Sequence, residues 1–151
     1  TEIIEEIFQA IGKNAHEELN LIKIDPNYRL VFGEGGSLNA STDIEYMVTQ
    51  IQELCGEKDA EGFRKYVLDN REKLKLSKNC LNSPWTGWTD LANKRALRVA
   101  KVLRPWRSVA SDLSKFLDDD RMQLAMSFQT KYLGMSPFQA PSVFTILSFL
   151  E

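Results

Sequence analysis

One short run of strand-like sequence constrains this chain most. Tyr28–Phe32, the turn Gly-Glu-Gly-Gly and Ser37–Ala40 alternate apolar and polar residues around a tight turn and predict a β-hairpin. Nearly all the other apolar residues repeat at three- and four-residue spacing. A two-stranded hairpin is marginal alone in water and needs further strands or a covering helix. Only the weak run Leu21–Ile24 offers a third strand, so the open hairpin edge is expected to pair with strands outside this chain.

The helical pattern is explicit. Ile3, Ile4, Ile7, Phe8 and Ile11 form one apolar face opposite Glu2, Glu5, Glu6 and Gln9, with Gly12 as the stop. Thr42 with Glu45 reads as a capping box for a helix through Ile44, Met47, Val48, Ile51 and Leu54, ending at Gly56. A longer helix is predicted from Asp59, burying Phe63, Tyr66, Val67, Leu74 and Leu76. A loop over 82–88 precedes four more helices, from Thr89 to Leu103, Pro105 to Leu117, Asp119 to Leu133, and Pro141 onward, with both prolines at first helical positions. The fold class is mainly α with a small hairpin, within a single domain over residues 1–151. Both ends look cut, since the chain opens on Thr1 in a helical pattern and stops at Glu151 in an apolar run.

The bulk numbers narrow the function. With 43% hydrophobic and 26% charged residues the chain is an ordinary globular one, and its net charge of −2 argues against nucleic acid as a partner. No apolar run is long enough to span a bilayer. Cys55 and Cys80, far apart and without a CxxC spacing, read as reduced, buried thiols of a cytoplasmic protein. The lone His16, among glutamates, reads as a surface or capping residue, and no metal site is expected.

Other candidate chemistry fails on spacing. Gly33–Leu38 is not a dinucleotide loop, because the third glycine position falls on Leu38 and a strand follows where a helix should open. Asp118, Asp119 and Asp120 are not a DDxxD metal pattern, whose last carboxylate would fall on Met122; they read as acids at a helix start. No nucleophile has an activating base nearby.

Two surfaces remain. In the stretch KRALRVAKVLRPWR, Lys94, Arg95, Arg98, Lys101 and Arg104 recur at helical spacing, and Trp85, Trp88 and Trp106 flank the run. This suits a membrane surface, with a solvated face over core tryptophans as the equal alternative. The stretch YLGMSPFQAPSVF, residues 132–144, interleaves Gly134, Pro137 and Pro141 with large apolar side chains, and the preceding Met122–Leu133 is apolar nearly all round. Such a segment is either plain core or the lining of an apolar cavity.

The co-linear set DPNYRLVF, the hairpin, STDIEYM, EGFRKYV and WRSVASDLSKFLDDDRMQLAMSFQTKYLGMSPFQAPSVFTI resembles the central helical region of phytoene desaturases and related carotenoid desaturases, flavin-dependent oxidoreductases of the amine-oxidase-like superfamily. The resemblance implies that FAD is held by flanking parts not present in this sequence. It also implies a substrate-binding, peripherally membrane-associated role for the present region. Phe128, Tyr132, Met135, Phe138 and Phe144 would then line a path for a long isoprenoid polyene. Trp85, Trp88, Arg98, Lys101 and Trp106 would face the membrane, and Asp90 and Arg95 are the candidates for residues near the flavin. The rival reading is a free-standing helical module for a lipid or partner helix, or a flavoprotein acting on another apolar lipid.

Overall fold

A computed structural model describes residues 2–81 and 94–150, and these are mostly helical with one antiparallel hairpin. Chain order is α1 (Glu2–Ala10), α2 (Ala15–Glu18), β1 (Tyr28–Val31), β2 (Ser37–Ala40), α3 (Ile44–Cys55), α4 (Glu57–Leu81), α5 (Lys94–Leu103), α6 (Val109–Leu113), α7 (Asp120–Ser127), a 3-10 helix (Phe128–Leu133), a 3-10 turn (Ser142–Thr145) and α8 (Ile146–Leu150).

The hairpin is the predicted one, with Tyr28 opposite Ala40 and Val31 opposite Ser37. Gly35 and Gly36 close it at φ 99° and 89°, backbone that favours glycine. No third strand forms from Leu21–Ile24. At Asn39 the outward N–H and C=O of β2 are instead met by the Gln50 carboxamide of α3, at 2.9 and 3.0 Å. One side chain thereby does locally what a neighbouring strand would do. The opposite edge, on β1, carries the exposed Arg29 and Val31.

The core lies where α3, α4, α6 and α7 meet under the hairpin. Ile51, Leu38, Leu113, Leu117 and Met122 have no exposed surface. Between α4 and the turn that follows α6 the backbones nearly touch: a Cβ on Gly62 would lie 1.7 Å from the Phe116 carbonyl oxygen. Asp59 of α4 accepts from the backbone N–H groups of Asp118 and Asp119, at 2.8 and 3.1 Å, and so seats the start of α7. Arg121 ties that same corner to α3 and the hairpin turn through the carbonyls of Leu54 and Gly35.

Several boundaries differ from the sequence expectation. Asp43, not Thr42, caps α3, accepting from the N–H groups of Glu45 and Tyr46, and the Glu45 carboxylate turns instead to Arg64. Pro105 does not open a helix. Arg104 ends α5 in the left-handed region (φ 46°), and α6 restarts at Val109 under a Ser108 cap. Pro141 precedes a 3-10 turn, so α8 begins five residues later. The helix expected to reach Leu133 stops at Ser127 and tightens, as Ser127 and Thr130 hydroxyls bond back to carbonyls three residues earlier. Leu74 and Leu76 are only half-buried, and the same helix buries Asn70 and Lys73 completely. Cys55 is half-buried, whereas Cys80 lies among residues whose side chains are not described.

Candidate functional site

The 132–144 stretch is fixed by its backbone. Ala110 N–H donates to the Pro137 carbonyl at 3.0 Å, Val109 N–H to that of Ala140 at 2.8 Å, and Ser142 N–H to that of Arg107 at 2.8 Å. Pinned along this line, the loop buries Ala140 and turns its large apolar side chains outward. Phe138 is 77% exposed and Tyr132 65% exposed, and Met135 is exposed beside them. Phe128 is half-buried against Tyr28, ring centroids 6.0 Å apart, with Lys131 Nζ 3.2 Å from its ring centroid. Phe144 packs on the core. The five candidate substrate residues therefore divide into an outward group and an inward pair.

Of the candidate membrane-facing residues, Trp106 is 69% exposed and Lys101 is exposed, with Leu97 also outward on α5. Trp85, Trp88 and Asp90 lie outside the described residues, and the side chains of Arg95 and Arg98 are likewise not described. Among the described residues no helix is long and apolar enough to cross a membrane.

An open cavity of about 250 Å³ lies between the hairpin, α3, α4, α7 and α8. Met47 of α3, Phe63, Tyr66 and Val67 of α4, and Ala125 and Met126 of α7 give it apolar walls. Asn27, Ser41, Thr42 and Ser148 add neutral polar groups, and Arg71 adds the one charge. None of the five loop candidates lines it. Sequence reading did assign Met126 and Ala125 to a helix facing core or cavity, yet no sequence signal marks Arg71, whose role depends on which way α4 is turned.

Beside this cavity lies a buried ionic network that sequence reading missed. Lys73, with 0% exposure, reaches Asp112 at 2.7 Å, Asp69 at 3.0 Å and the Thr145 hydroxyl at 2.9 Å. Asp112 also accepts from Arg104 at 2.9 Å and Lys115 at 2.7 Å. Burial alone would raise the Asp112 carboxyl; donors from Arg104, Lys115 and Lys73 outweigh it and hold the group far below the usual carboxylate range. Tyr66, bonded to the Thr145 carbonyl and Ser148, is pushed up by burial and stays neutral. The i, i+4 pair Asp69 and Lys73 was the sequence trace of this network, but such a pair ordinarily lies in solvent.

Burial, then the neighbouring Asp119, push the Cys55 thiol up to about 12, so it is no nucleophile. Among the described residues no group of side chains could hold a metal ion. His16 is exposed beside Glu5. Asp119 caps α7, as expected of the acidic run.

No protein-family model matches the chain. Curated relatives do. The chain is 30% identical over 99% of its length to a zeta-carotene-forming phytoene desaturase of Myxococcus xanthus, covering 29% of that protein. It is 32% identical over 98% of its length to a lycopene-forming phytoene desaturase of Pantoea ananas, covering 30% of it. Against a 4,4'-diapophytoene desaturase of a Methylomonas species the identity is 28%, over 99% of the chain and 29% of the relative. Along nearly its whole length, the chain is thus homologous to one region of the phytoene and related carotenoid desaturases, spanning under a third of each of these relatives.

Proposed function

We propose that residues 1–151 form the substrate-binding, membrane-facing domain of an FAD-dependent carotenoid desaturase. The observation that carries this reading is the similarity itself, which runs over 99% of the chain to enzymes named for acting on phytoene. Taking two hydrogens from a hydrocarbon polyene needs a hydride acceptor, and a flavin supplies that chemistry where no side chain can. The described residues do not fit a flavin: the one glycine-rich turn closes a hairpin, and no strand–turn–helix cradle is present among them. No redox step is therefore placed on this chain.

Its share is to hold an apolar molecule and keep water away. Tyr132, Met135 and Phe138 supply one wall of a polyene path, and the remainder of the larger polypeptide supplies the facing wall. Phe128 and Phe144 support that wall from the core side. Trp106 and Lys101, with Trp85, Trp88 and Arg98, rest on the headgroup layer, so that a lipid-soluble substrate enters from the bilayer. The cavity, at about 250 Å³, is too small for a long polyene, so the polyene path is assigned to the outward loop residues instead.

The experiment is reconstitution of the full-length protein with phytoene in liposomes. A bound flavin spectrum and desaturated product are expected; no flavin and no change in a phytoene-type polyene would overturn the proposal. Phe138→Ala should raise KM for the polyene more than it lowers kcat.

A further inference from the structure

Arginine pairing sets one part of the cavity apart. Six arginines have described side chains, and five are engaged: Arg29 with Ser37, Arg64 with Glu45, Arg104 with Asp69 and Asp112, Arg107 with Ser111, and Arg121 with Asp119. Arg71 has no hydrogen-bond or ion-pair partner among the described residues, although it lines the cavity and reaches solvent.

Its place on α4 is what matters. Phe63, Tyr66, Val67 and Arg71 recur at three- and four-residue spacing, so they share the stripe of α4 that walls the cavity. At 1.5 Å per residue that stripe runs roughly 12 Å from Phe63 to Arg71. It begins aromatic and buried and ends cationic and wet. No carboxylate lines the cavity to neutralise the guanidinium.

We propose that this cavity binds a single-chain anionic amphiphile of the fatty-acid class, its carboxylate on Arg71 and its chain against Phe63, Met47 and Met126. The guanidinium fork matches a carboxylate with two parallel hydrogen bonds. The methionine thioethers adapt to a flexible chain. A volume of about 250 Å³ admits one medium-length chain and leaves no room for a second, so a two-chain lipid does not enter. A neutral hydrocarbon would leave Arg71 unpaired. The inference stands apart from the proposed desaturase role, since it concerns a different surface from Tyr132, Met135 and Phe138.

The test titrates the full chain with dodecanoate, dodecanol, dodecyl phosphate and dodecyltrimethylammonium below their micelle-forming concentrations, by calorimetry and by methionine methyl NMR. Dodecanoate should bind tightest, the cation weakest, and the shifts should fall on Met47 and Met126. Arg71→Gln, an exposed change that the fold tolerates, should weaken dodecanoate about ten-fold or more and leave dodecanol unchanged. Equal affinity for dodecanoate and dodecanol, an unchanged dodecanoate affinity in the variant, or shifts confined to Met135 would overturn the proposal. Tighter binding of dodecyl phosphate would overturn the carboxylate assignment.

Discussion

The helices α1 and α4 invert the usual relation between pattern and burial. Along α1 and the turn that ends it, the stripe Ile3, Ile4, Ile7 and Ile11 is as regular as any in the chain, yet all four are exposed, Ile7 at 58%. Helix α4 reads as a polar, highly charged segment, yet it runs through the middle of the fold and buries Lys73 and Asn70 along with Phe63, Tyr66 and Val67. The difference lies in what each face meets. Within the described residues α1 packs chiefly on the four-residue α2, whereas α4 meets α3, α5 and α8. Amphipathicity states that a face wants cover; it does not say where the cover is.

The largest expected effect comes from breaking the network that lets α4 bury a lysine. Asp112→Ala removes the carboxylate that faces Lys73, Arg104 and Lys115 together, and leaves a cation with 0% exposure short of its nearest partner. A loss of about 3–5 kcal/mol is expected in urea denaturation. Lys73→Met should cost less, because Asp112 keeps Arg104 and Lys115. If the two variants are equal, the asymmetry claimed for this network is wrong.

Next is Gly62→Ala. On an exposed helix face that change should stabilise by about 1 kcal/mol. Here the new methyl would meet the Phe116 carbonyl oxygen at 1.7 Å, and since the obstacle is backbone, α4 and the turn after α6 must separate. A loss of about 3 kcal/mol is expected. The sign of the change decides whether close backbone approach is what gives α4 its place.

The carboxylates that seat α4 and its neighbours also set the acid limit of stability. Asp119 lies at about 2, first through the hydrogen bond from Arg121, at the corner where Asp59 of α4 holds the start of α7. Its folded value is depressed, so the stability it contributes is present above the unfolded carboxylate value near pH 4 and is lost as pH falls toward about 2. With allowance for solvent screening this is worth on the order of 1 kcal/mol. The urea midpoint should hold steady from neutral pH to about 4 and then fall, more gently in Asp119→Asn. An identical acid slope in that variant would remove Asp119 from the account.

These effects mark what the sequence could convey. The hairpin, its glycine turn and the acidic start of α7 were legible because each is settled by residues within a few positions of one another. Thr42 and Pro105 misled because a neighbour competed: Asp43 is the better-placed cap, and Arg104 is held by Asp69 and Asp112 in a conformation that breaks the chain before the proline can open a helix. The burial of Lys73 could not be read from its local pair with Asp69, since Asp112, its nearest partner, lies 39 residues away and is brought to it only by the tertiary fold. The same holds for the cavity, assembled from a hairpin and four helices, and for the outward turn of Phe138, which depends on the loop backbone pairing with residues 107–110.

The smallest expected effect belongs to α1. Ile7→Ser removes an apolar side chain that the described residues leave 58% exposed, and a surface change of this kind falls within about 0.5 kcal/mol. The same substitution at Ile51 of α3, with 0% exposure, should cost several times more, about 3 kcal/mol or above. A direct comparison of Ile7→Ser and Ile51→Ser in urea therefore asks whether α1 has a partner. Should Ile7→Ser prove as costly as Ile51→Ser, α1 is covered in the folded protein, and its acidic outer face points to a protein groove rather than an anionic bilayer. The polar side of α1 carries Glu5 and Glu6 with no lysine or arginine, the reverse of what a membrane-surface helix presents to headgroups.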